Sequence, residues 1–181
     1  MKLILILLLS MSTLYATKVH TEDYVLGRIE LGVTATNLCA VLTSDDTLSI
    51  KSMGGSVLEA QKLADCVHST NALVKLKVGY SAATLVAMAG NRVCFYEGAG
   101  LGYHSAYYKT AGGDIKPLGI DELRYSMYLT MQLLKTYGYT PQQVLLIAGV
   151  TMMTPPENIS VLPTHVAIGL LGSRYVGACT T

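Results

Sequence analysis

Residues 47–96 read TLSIKSMGGSVLEAQKLADCVHSTNALVKLKVGYSAATLVAMAGNRVCFY, and the pattern of this stretch decides the fold. Apolar and polar residues alternate at Thr47–Ser52 and at Ala72–Val78, which predicts two strands. Between them, the run SVLE at Ser56–Glu59 is a capping box, and it predicts a helix that starts directly after the Gly54-Gly55 turn. Because a strand, a glycine turn, a helix and a further strand follow in order, we expect neighbouring strands to pair in parallel.

Strands and helices keep alternating on both sides of this stretch, as hydrophobic periodicity and turn residues indicate. The sequence therefore predicts one α/β domain over residues 17–181, with a largely parallel sheet flanked by helices. The other predicted strands are Arg28–Val33, Arg92–Tyr96 and Ala99–Tyr103, and the other predicted helices are Asn37–Leu42, Ser81–Gly90, Asp121–Tyr137 and one that starts at Thr140-Pro141.

The first sixteen residues have the order of a secretory signal peptide. Lys2 precedes an apolar run at Leu3–Leu9, and small and polar residues lead from this run to Ala16. We expect cleavage after Ala16, which assigns residues 1–16 to the signal peptide and places the mature chain in the periplasm or outside the cell. The alternative is an uncleaved N-terminal anchor, although the apolar run is short for a helix that spans a bilayer.

Composition and charge narrow the class of protein. Hydrophobic residues make up 51% of the 181 residues and charged residues 14%, which is typical of a packed globular domain and excludes a disordered chain. The formal net charge is +1, and removal of residues 1–16 takes away one Lys and no acid, which leaves zero. The sequence has no basic run, so we expect no nucleic-acid partner.

The four cysteines allow two interpretations. None of them forms a CxxC pair, so the sequence does not predict a zinc site, and we expect neither a metal nor a cofactor. Outside the cytosol the four could form two disulfides in any of three connectivities. Alternatively, Cys39, Cys66 and Cys94 are small buried hydrophobic residues in apolar segments. The residues concerned are Cys39, Cys66, Cys94 and Cys179.

Three features of the sequence could form a hydrolytic site. Ser81 follows a predicted strand and opens a helix, where a hydroxyl lies near the exposed N–H groups of the first turn, but the same position suits an ordinary N-cap. The amides of Gly54-Gly55 could bind a developing oxyanion, or these glycines could serve a tight turn. His104 begins a loop after a predicted strand and is the best-placed base, with His165 as a weaker rival.

Taken together, these motifs resemble those of Clp-type proteases. The segment SMGGSV at 52–57 is similar to their Ser-Pro-Gly-Gly-x-Val signature. The run SAAT at 81–84, followed by Ala89-Gly90, resembles their nucleophile helix, and LGYH at 101–104 resembles the strand that leads to their catalytic His. The motif order is kept across roughly residues 25–175, and the resemblance is closest to small exported relatives. It implies a Clp/crotonase-like spiral of ββα units.

The resemblance also implies a role for each of these residues. Ser81 would attack the acyl carbon of the substrate, and His104 would take the proton of the serine hydroxyl. The N–H groups of Gly55 and Ala82 would form the oxyanion hole, the latter because it follows the nucleophile. The expected chemistry is therefore acyl transfer through a covalent intermediate.

The third member of the implied triad is less sharply defined, and two segments depart from the family pattern. Glu157 best matches the family's acidic residue, and Asn158 is the alternative, since an amide can also orient an imidazole. Met53 stands where the signature has Pro. The stretch Ser105–Ile120 is short, and because this region helps family members to assemble rings, a homo-oligomer is left open.

These implications favour an exported serine peptidase that cleaves polypeptides. We expect no ATPase partner, since an exported chain lacks the ATP-driven unfolding of cytosolic Clp systems. The alternative from another class is a catalytically silent binding or assembly module on the same fold, because fold alone does not settle function. A crotonase-like acyl-CoA enzyme is disfavoured, since export removes the chain from the pools of coenzyme A.

Overall fold

Strands and helices alternate along residues 22–110 and 112–180, the part of the chain that the computed structural model describes. The signal peptide predicted at residues 1–16 lies outside this part. The strands are β1 (Asp23–Leu26), β2 (Thr47–Ser52), β3 (Leu73–Tyr80), β4 (Arg92–Tyr103), β5 (Tyr107–Lys109), β6 (Ile115–Pro117), β7 (Ser160–Val161) and β8 (Tyr175–Ala178). The helices are α1 (Thr34–Cys39), α2 (Val57–Thr70), α3 (Ala82–Ala89), α4 (Ile120–Thr136), α5 (Pro141–Met153) and α6 (Thr164–Leu171).

Six of the strands form one mixed sheet. Strands β1, β2, β3 and β4 lie in this order and pair in parallel, with Leu48 opposite Val74 in the β2–β3 register. Strand β8 pairs in parallel with the start of β4, and β7 pairs antiparallel with its end. Strands β5 and β6 form a separate antiparallel hairpin. The predicted fold class, a mostly parallel sheet flanked by helices, is confirmed.

The core lies between one face of the sheet and the helices. Alternate residues of β2 and β3 are fully buried, as period-two patterning requires. Helix α2 buries one face of its surface, whereas every side chain of the short α3 is buried, so α3 is the central helix of the domain. None of the described helices is both long and apolar enough to cross a bilayer.

The strand predicted at Arg28–Val33 is wrong. The true edge strand is β1, which ends before Gly27, and only Ile29 of the predicted segment bridges the sheet, opposite Gly55. The chain then turns at Gly32, whose φ of 75° is a left-handed conformation that favours glycine. Helix α1 consequently begins at Thr34, three residues before the start that the sequence predicts.

Strand β4 is longer than the sequence suggests, since it joins two predicted strands into one. It runs without a break through Gly98, which has a φ of 70°, and the β3–β4 register shifts between Leu76 and Val78. Over this shift β3 advances by two residues and β4 by five, from Phe95 to Gly100, so β4 accommodates three extra residues in a bulge that bends the strand without ending it. The strand therefore carries the chain across the whole domain to His104.

The caps of α5 and α2 differ. Helix α5 starts at Thr140-Pro141 as predicted, and Thr140 forms a full capping box: its hydroxyl accepts from the Gln143 N–H at 3.3 Å, and the Gln143 side chain accepts from the Thr140 N–H at 2.8 Å. At α2, Ser56 Oγ accepts from the Glu59 N–H at 3.3 Å, but the Glu59 carboxylate does not return to Ser56. It accepts instead from Ala35 and Gly32.

All four cysteines are paired in disulfides, so the interpretation of three of them as reduced hydrophobic residues is wrong. Of the three possible connectivities the structure has Cys39–Cys66 and Cys94–Cys179, with Cα–Cα distances of 5.8 Å and 5.0 Å. The first pair joins α1 to α2. The second ties the start of β4 to the residue that follows β8.

Candidate active site

The predicted site residues meet at one edge of the sheet. The Gly54-Gly55 turn follows β2, Ser81 follows β3 and His104 follows β4. Because these three strands are parallel neighbours, their carboxyl ends lie side by side, which is where open parallel sheets bind ligands. The topology alone therefore brings the glycine turn, the serine and the histidine together.

Ser81 occupies a strained turn between β3 and α3. Its main-chain angles are φ 55° and ψ −130°, a conformation that non-glycine residues rarely adopt. An ordinary N-cap has extended angles and a side-chain oxygen that accepts from the helix, and Ser81 has neither. The N-cap alternative is therefore not supported. A serine on a sharp strand-to-helix turn, with its hydroxyl presented at the sheet edge, has the geometry of a nucleophile elbow.

Buried hydrogen bonds hold this turn in place. The Ser81 N–H donates to the Gly102 carbonyl of β4 at 2.7 Å. The Thr84 hydroxyl, one turn into α3, lies 2.6 Å from the Gly79 carbonyl and 2.8 Å from the Gly102 carbonyl. Thr84 thus ties helix α3 to β3 and β4. Sequence reasoning missed this role, since a threonine inside an apolar helix gives no distinct signal.

The glycine turn packs directly against Ser81. A Cβ atom on Gly54 would lie 2.7 Å from Ser81 Cβ and 3.0 Å from Ala82 N, so no larger residue fits without a shift of the backbone. A Cβ on Gly55 would overlap the Ile29 carbonyl oxygen. The glycines are required for this close approach and for their positive φ values of 97° and 149°.

Two main-chain amides near the serine are available for an anionic oxygen. Ile29 N–H donates to the Gly54 carbonyl, and Ser56 N–H donates to the Ile29 carbonyl, but the Gly55 N–H takes no part in this pairing. Ala82 is the first residue of α3, and the first N–H groups of a helix have no partner within it. The positive end of the α3 dipole favours negative charge at the same place.

His104 is held in the tautomer that a general base needs. Its Nδ1 atom lies 2.7 Å from the Ser105 carbonyl oxygen. Because a carbonyl can only accept, Nδ1 carries the hydrogen, and Nε2 of the neutral ring keeps its lone pair. Ser105 is fixed in turn by its N–H, which donates to the Thr154 carbonyl at 2.9 Å. The imidazole also lies against the Tyr107 ring, with centroids 5.5 Å apart.

Ser81 and His104 line the same two cavities. One is an apolar cavity of about 80 Å³ between α3, α4 and α5, with Leu85, Met127 and Ile147 in its wall. Tyr103 also borders it, and burial raises the pKa of this phenol, which therefore stays neutral. The other is an open groove of about 440 Å³ that passes the glycine turn. No hydrogen bond joins the Ser81 hydroxyl to the imidazole within the described part of the chain, as is common in unliganded sites.

Glu157 does not line the cavities that Ser81 and His104 share. Its side chain is exposed in the turn between α5 and β7 and lines neither cavity, and the same holds for Asn158. The Ser105 carbonyl already occupies the Nδ1 atom to which a triad carboxylate would bind. The role of Glu157 stays a prediction without a supporting contact, and main-chain orientation of a histidine has no signal in the sequence.

The rival base His165 and the further histidine His68 lie away from these cavities. His165 is in the first turn of α6 and lines neither cavity. His68 places Nδ1 3.0 Å from the Ala89 carbonyl and packs on Tyr137, at the end of α2. Across residues 22–110 and 112–180, no three His, Cys, Asp or Glu side chains are grouped as ligands for a metal ion.

Solved structures with a similar fold include proteases. No protein-family model matches the sequence, and no curated protein matches it significantly. A membrane-bound stomatin-specific protease superposes with a TM-score of 0.64 over 88% of this chain and 79% of its own, at 10% identity. A complex of that protease with a substrate peptide gives 0.63 over 88% and 74%, also at 10% identity. ClpP1 from Listeria monocytogenes gives 0.58 over 87% and 92%, at 17% identity.

The chain has a Clp-protease-like fold. The resemblance that the motifs indicate is thus confirmed at the level of the fold, because the similarity covers nearly all of the described residues and most of each neighbour.

Proposed function

We propose that this protein is a serine peptidase that cleaves polypeptides through an acyl-enzyme on Ser81. The observation that carries the proposal is the strained turn of Ser81, with φ 55°, packed against the glycine turn and sharing a cavity with His104. Strain of this kind is kept where the surrounding structure enforces it, and it concentrates at functional sites. An ordinary helix cap has no need of it.

The proposed chemistry gives each of these groups one role. Ser81 Oγ attacks the carbonyl carbon of the scissile peptide bond, and its proton passes to Nε2 of His104. The carbonyl oxygen becomes an oxyanion that accepts from the N–H groups of Gly55 and Ala82. The imidazolium then gives its proton to the leaving amine as the C–N bond breaks. Water, activated by the same imidazole, hydrolyses the ester and restores the serine.

The cavities support a polypeptide as the substrate. The apolar cavity beside Ser81 suits an apolar side chain next to the scissile bond, because burial of such a side chain is favourable and the wall is mainly hydrocarbon. The open groove of about 440 Å³ is lined by Ser81, His104 and the glycine turn, which suits extended main chain lying past the serine. A small hydrophilic substrate would leave the apolar cavity unused.

Export is also part of the proposal. Two disulfides in a domain of this size are typical of an oxidising compartment, which agrees with the signal peptide predicted at residues 1–16 and with a periplasmic or secreted location. In such a compartment the peptidase works without an ATPase partner. The open groove agrees with this, since substrates can reach Ser81 directly.

Hydrolysis of fluorescein-labelled casein by the purified mature chain tests the function. We expect cleavage by the wild type, and losses of at least about a hundredfold in Ser81→Ala and His104→Ala. Glu157→Gln is the matched control, and we expect it to keep most of the activity because His104 is oriented by the Ser105 carbonyl. Absence of wild-type cleavage would favour the silent binding module, and full activity in Ser81→Ala would exclude this mechanism.

A further inference from the structure

Helix α1 is tied to α2 at both ends. At its start, the carboxylate of Glu59 accepts from the Ala35 N–H at 2.8 Å and from the Gly32 N–H at 3.0 Å. At its end, Cys39 forms a disulfide with Cys66. Glu59 and Cys66 are seven residues apart on α2, so they lie on one face two turns from each other. We call these two attachments the α1 clamp.

The Glu59 carboxylate is an unusual group to find in this position. Its side chain is only 1% exposed, and a buried carboxylate is tolerated only where hydrogen bonds or opposite charge satisfy it. Two main-chain N–H groups do so here, and Lys62 Nζ lies 3.9 Å from the same carboxylate. The mechanism proposed above uses none of these groups, so their role lies elsewhere.

The α1 clamp holds the segment that forms one wall of the groove. Arg28, Ile29, Glu30 and Leu31 line the open groove that also contains Ser81 and His104. This wall meets the glycine turn through the pairing of Ile29 with Gly54 and Ser56. Beyond Ile29 the chain leaves the sheet and enters the turn that Glu59 binds.

The other hydrogen bonds of the wall are local: the Glu30 N–H donates to the Thr34 hydroxyl at 2.8 Å, and the Glu30 carbonyl accepts from the N–H groups of Val33 and Thr34 at 3.2 Å. Leu31 and Val33 are exposed, so their side chains bring little burial energy to the turn. Helix α1 has six residues, and an isolated helix of that length is not stable in water. Glu59 and the disulfide therefore supply the long-range attachments that these local contacts do not.

We propose that the α1 clamp, formed by Glu59 and the Cys39–Cys66 disulfide, positions the wall at residues 28–31 for an extended polypeptide in the groove. Glu59 is a positioning residue in this account, since it touches neither the substrate nor the reacting atoms. The inference rests on the proposed function, because the groove is taken to hold substrate. It predicts that loosening the α1 clamp slows the reaction of Ser81 with peptide substrates and leaves its reaction with small probes unchanged.

Two labelling probes and hydrogen exchange test this inference on the mature, oxidised chain. A small alkyl fluorophosphonate needs only Ser81, His104 and the oxyanion amides, whereas a peptidyl diphenyl phosphonate also needs the groove. The variants are Glu59→Gln and the double variant Cys39→Ser/Cys66→Ser. The matched control is Cys94→Ser/Cys179→Ser, whose disulfide ties β4 at the end remote from His104.

In both clamp variants we expect the amides of residues 30–36 to exchange about tenfold faster. Glu59→Gln loses hydrogen bonds to a charged group, and the double cysteine variant frees the end of α1. The second-order labelling rate with the peptidyl probe falls by about tenfold, and the rate with the small probe changes by less than about twofold. The control variant leaves the ratio of the two rates unchanged.

Three results would distinguish failure of the clamp, failure of the role of the wall and failure of the proposed function. Unchanged exchange at residues 30–36 in both variants overturns the clamp. Faster exchange with an unchanged ratio of labelling rates overturns the role of the wall in peptide binding. If neither probe labels the wild type, the proposed function fails, and the exchange result alone then decides whether Glu59 and the disulfide hold the segment.

Discussion

At the scale of single residues, Ser81 is the most informative position in the chain. Its main-chain conformation costs about 1–3 kcal/mol, and Gly102 and Thr84 hold the turn against that cost through buried hydrogen bonds. A residue kept under strain where glycine would be comfortable suggests that the serine side chain is needed. Stability and activity are then opposed at this position.

Replacing the strained serine with glycine tests this opposition. We expect Ser81→Gly to raise the melting temperature by about 2–4 °C, because glycine adopts φ 55° and ψ −130° without a Cβ penalty. Asn71→Gly is the matched control and changes the melting temperature less, since asparagine tolerates its own left-handed angles of φ 60° and ψ 21°. A lower melting temperature for Ser81→Gly than for the wild type would show that the turn is not strained.

The sequence predicts the site better than it predicts the contacts that orient it. Ser81, His104 and the glycine turn meet because each follows a parallel strand, and the order of strands and helices already implies that. The Ser105 carbonyl on His104 is a main-chain group, so no residue type reveals it. Glu59 looks like half of a local capping box, and its true partners are 24 and 27 residues away.

At the scale of elements, Arg174 joins the ends of three helices. Its Nη1 atom donates to the Met88 carbonyl of α3 at 3.1 Å and to the carbonyl of Tyr137, which caps α4, at 3.4 Å. Its Nε donates to the Leu171 carbonyl of α6 at 3.3 Å, and the guanidinium lies 3.8 Å from the centre of the Tyr139 ring. The positive charge suits the negative ends of these helices.

Removal of this guanidinium should destabilise the domain strongly. We expect Arg174→Met to lower the free energy of unfolding by about 2–4 kcal/mol, since several charge-assisted hydrogen bonds and the cation–π contact are lost. Arg174→Lys recovers only part of the loss. A lysine ammonium is a compact point charge, and it lacks the planar guanidinium fork with which Arg174 reaches three carbonyls. Urea unfolding measures both variants, and equal stability of Arg174→Met and wild type would contradict this role.

The link between α1 and α2 is expected to depend on pH. The N–H groups of Ala35 and Gly32, with Lys62 nearby, hold the pKa of Glu59 below its ordinary value. The pKa of Glu59 is therefore lower in the folded protein than in the unfolded chain, where it is about 4.3. The resulting stabilisation is full at pH values above the unfolded pKa, and it is lost as the pH falls through the folded pKa.

The stability advantage of the wild type over Glu59→Gln should therefore be full near neutral pH and shrink below about pH 4. Chemical unfolding of both proteins between about pH 3 and about pH 7 measures the difference, because this range brackets the ordinary pKa of Glu. Glu97→Gln, on the exposed part of β4, serves as the control. An advantage that stays constant or grows as the pH falls would contradict the assignment.

Local patterns account for the elements that the sequence predicts correctly, and long-range contacts account for the errors. Strands β2 and β3 alternate clearly, and Thr140 caps α5 with its own neighbours. The error at Arg28–Val33 has a tertiary cause, because the segment pairs only at Ile29 and then turns to meet Glu59. No pattern within the segment shows that contact.

At the scale of the whole molecule, the two disulfides restrain the chain to different extents. Cys39–Cys66 spans 27 residues, whereas Cys94–Cys179 spans 85 and ties the C-terminal strand to the central sheet. The loss of loop entropy in the unfolded chain grows with the logarithm of the span. The second disulfide is therefore expected to contribute more to stability, and the first more to the shape of the groove.

Pairwise replacement by serine measures this difference. We expect Cys94→Ser/Cys179→Ser to lose about 1 kcal/mol more unfolding free energy than Cys39→Ser/Cys66→Ser, by the chain-entropy relation. Guanidinium unfolding of the two double variants gives the comparison. A larger loss in the Cys39 and Cys66 variant would mean that the clamp contributes more to global stability than to the groove.

The central claim is that Ser81 is a nucleophile activated by His104, and the direct measurement is the site of covalent labelling by a fluorophosphonate. Intact-mass and peptide-mass analysis should find one adduct in the wild type, on Ser81. Ser81→Ala should show none, and His104→Ala should label at least about a hundredfold more slowly, as expected for loss of a general base. An adduct on another residue, labelling that persists in Ser81→Ala, or a wild type that is not labelled would contradict the claim.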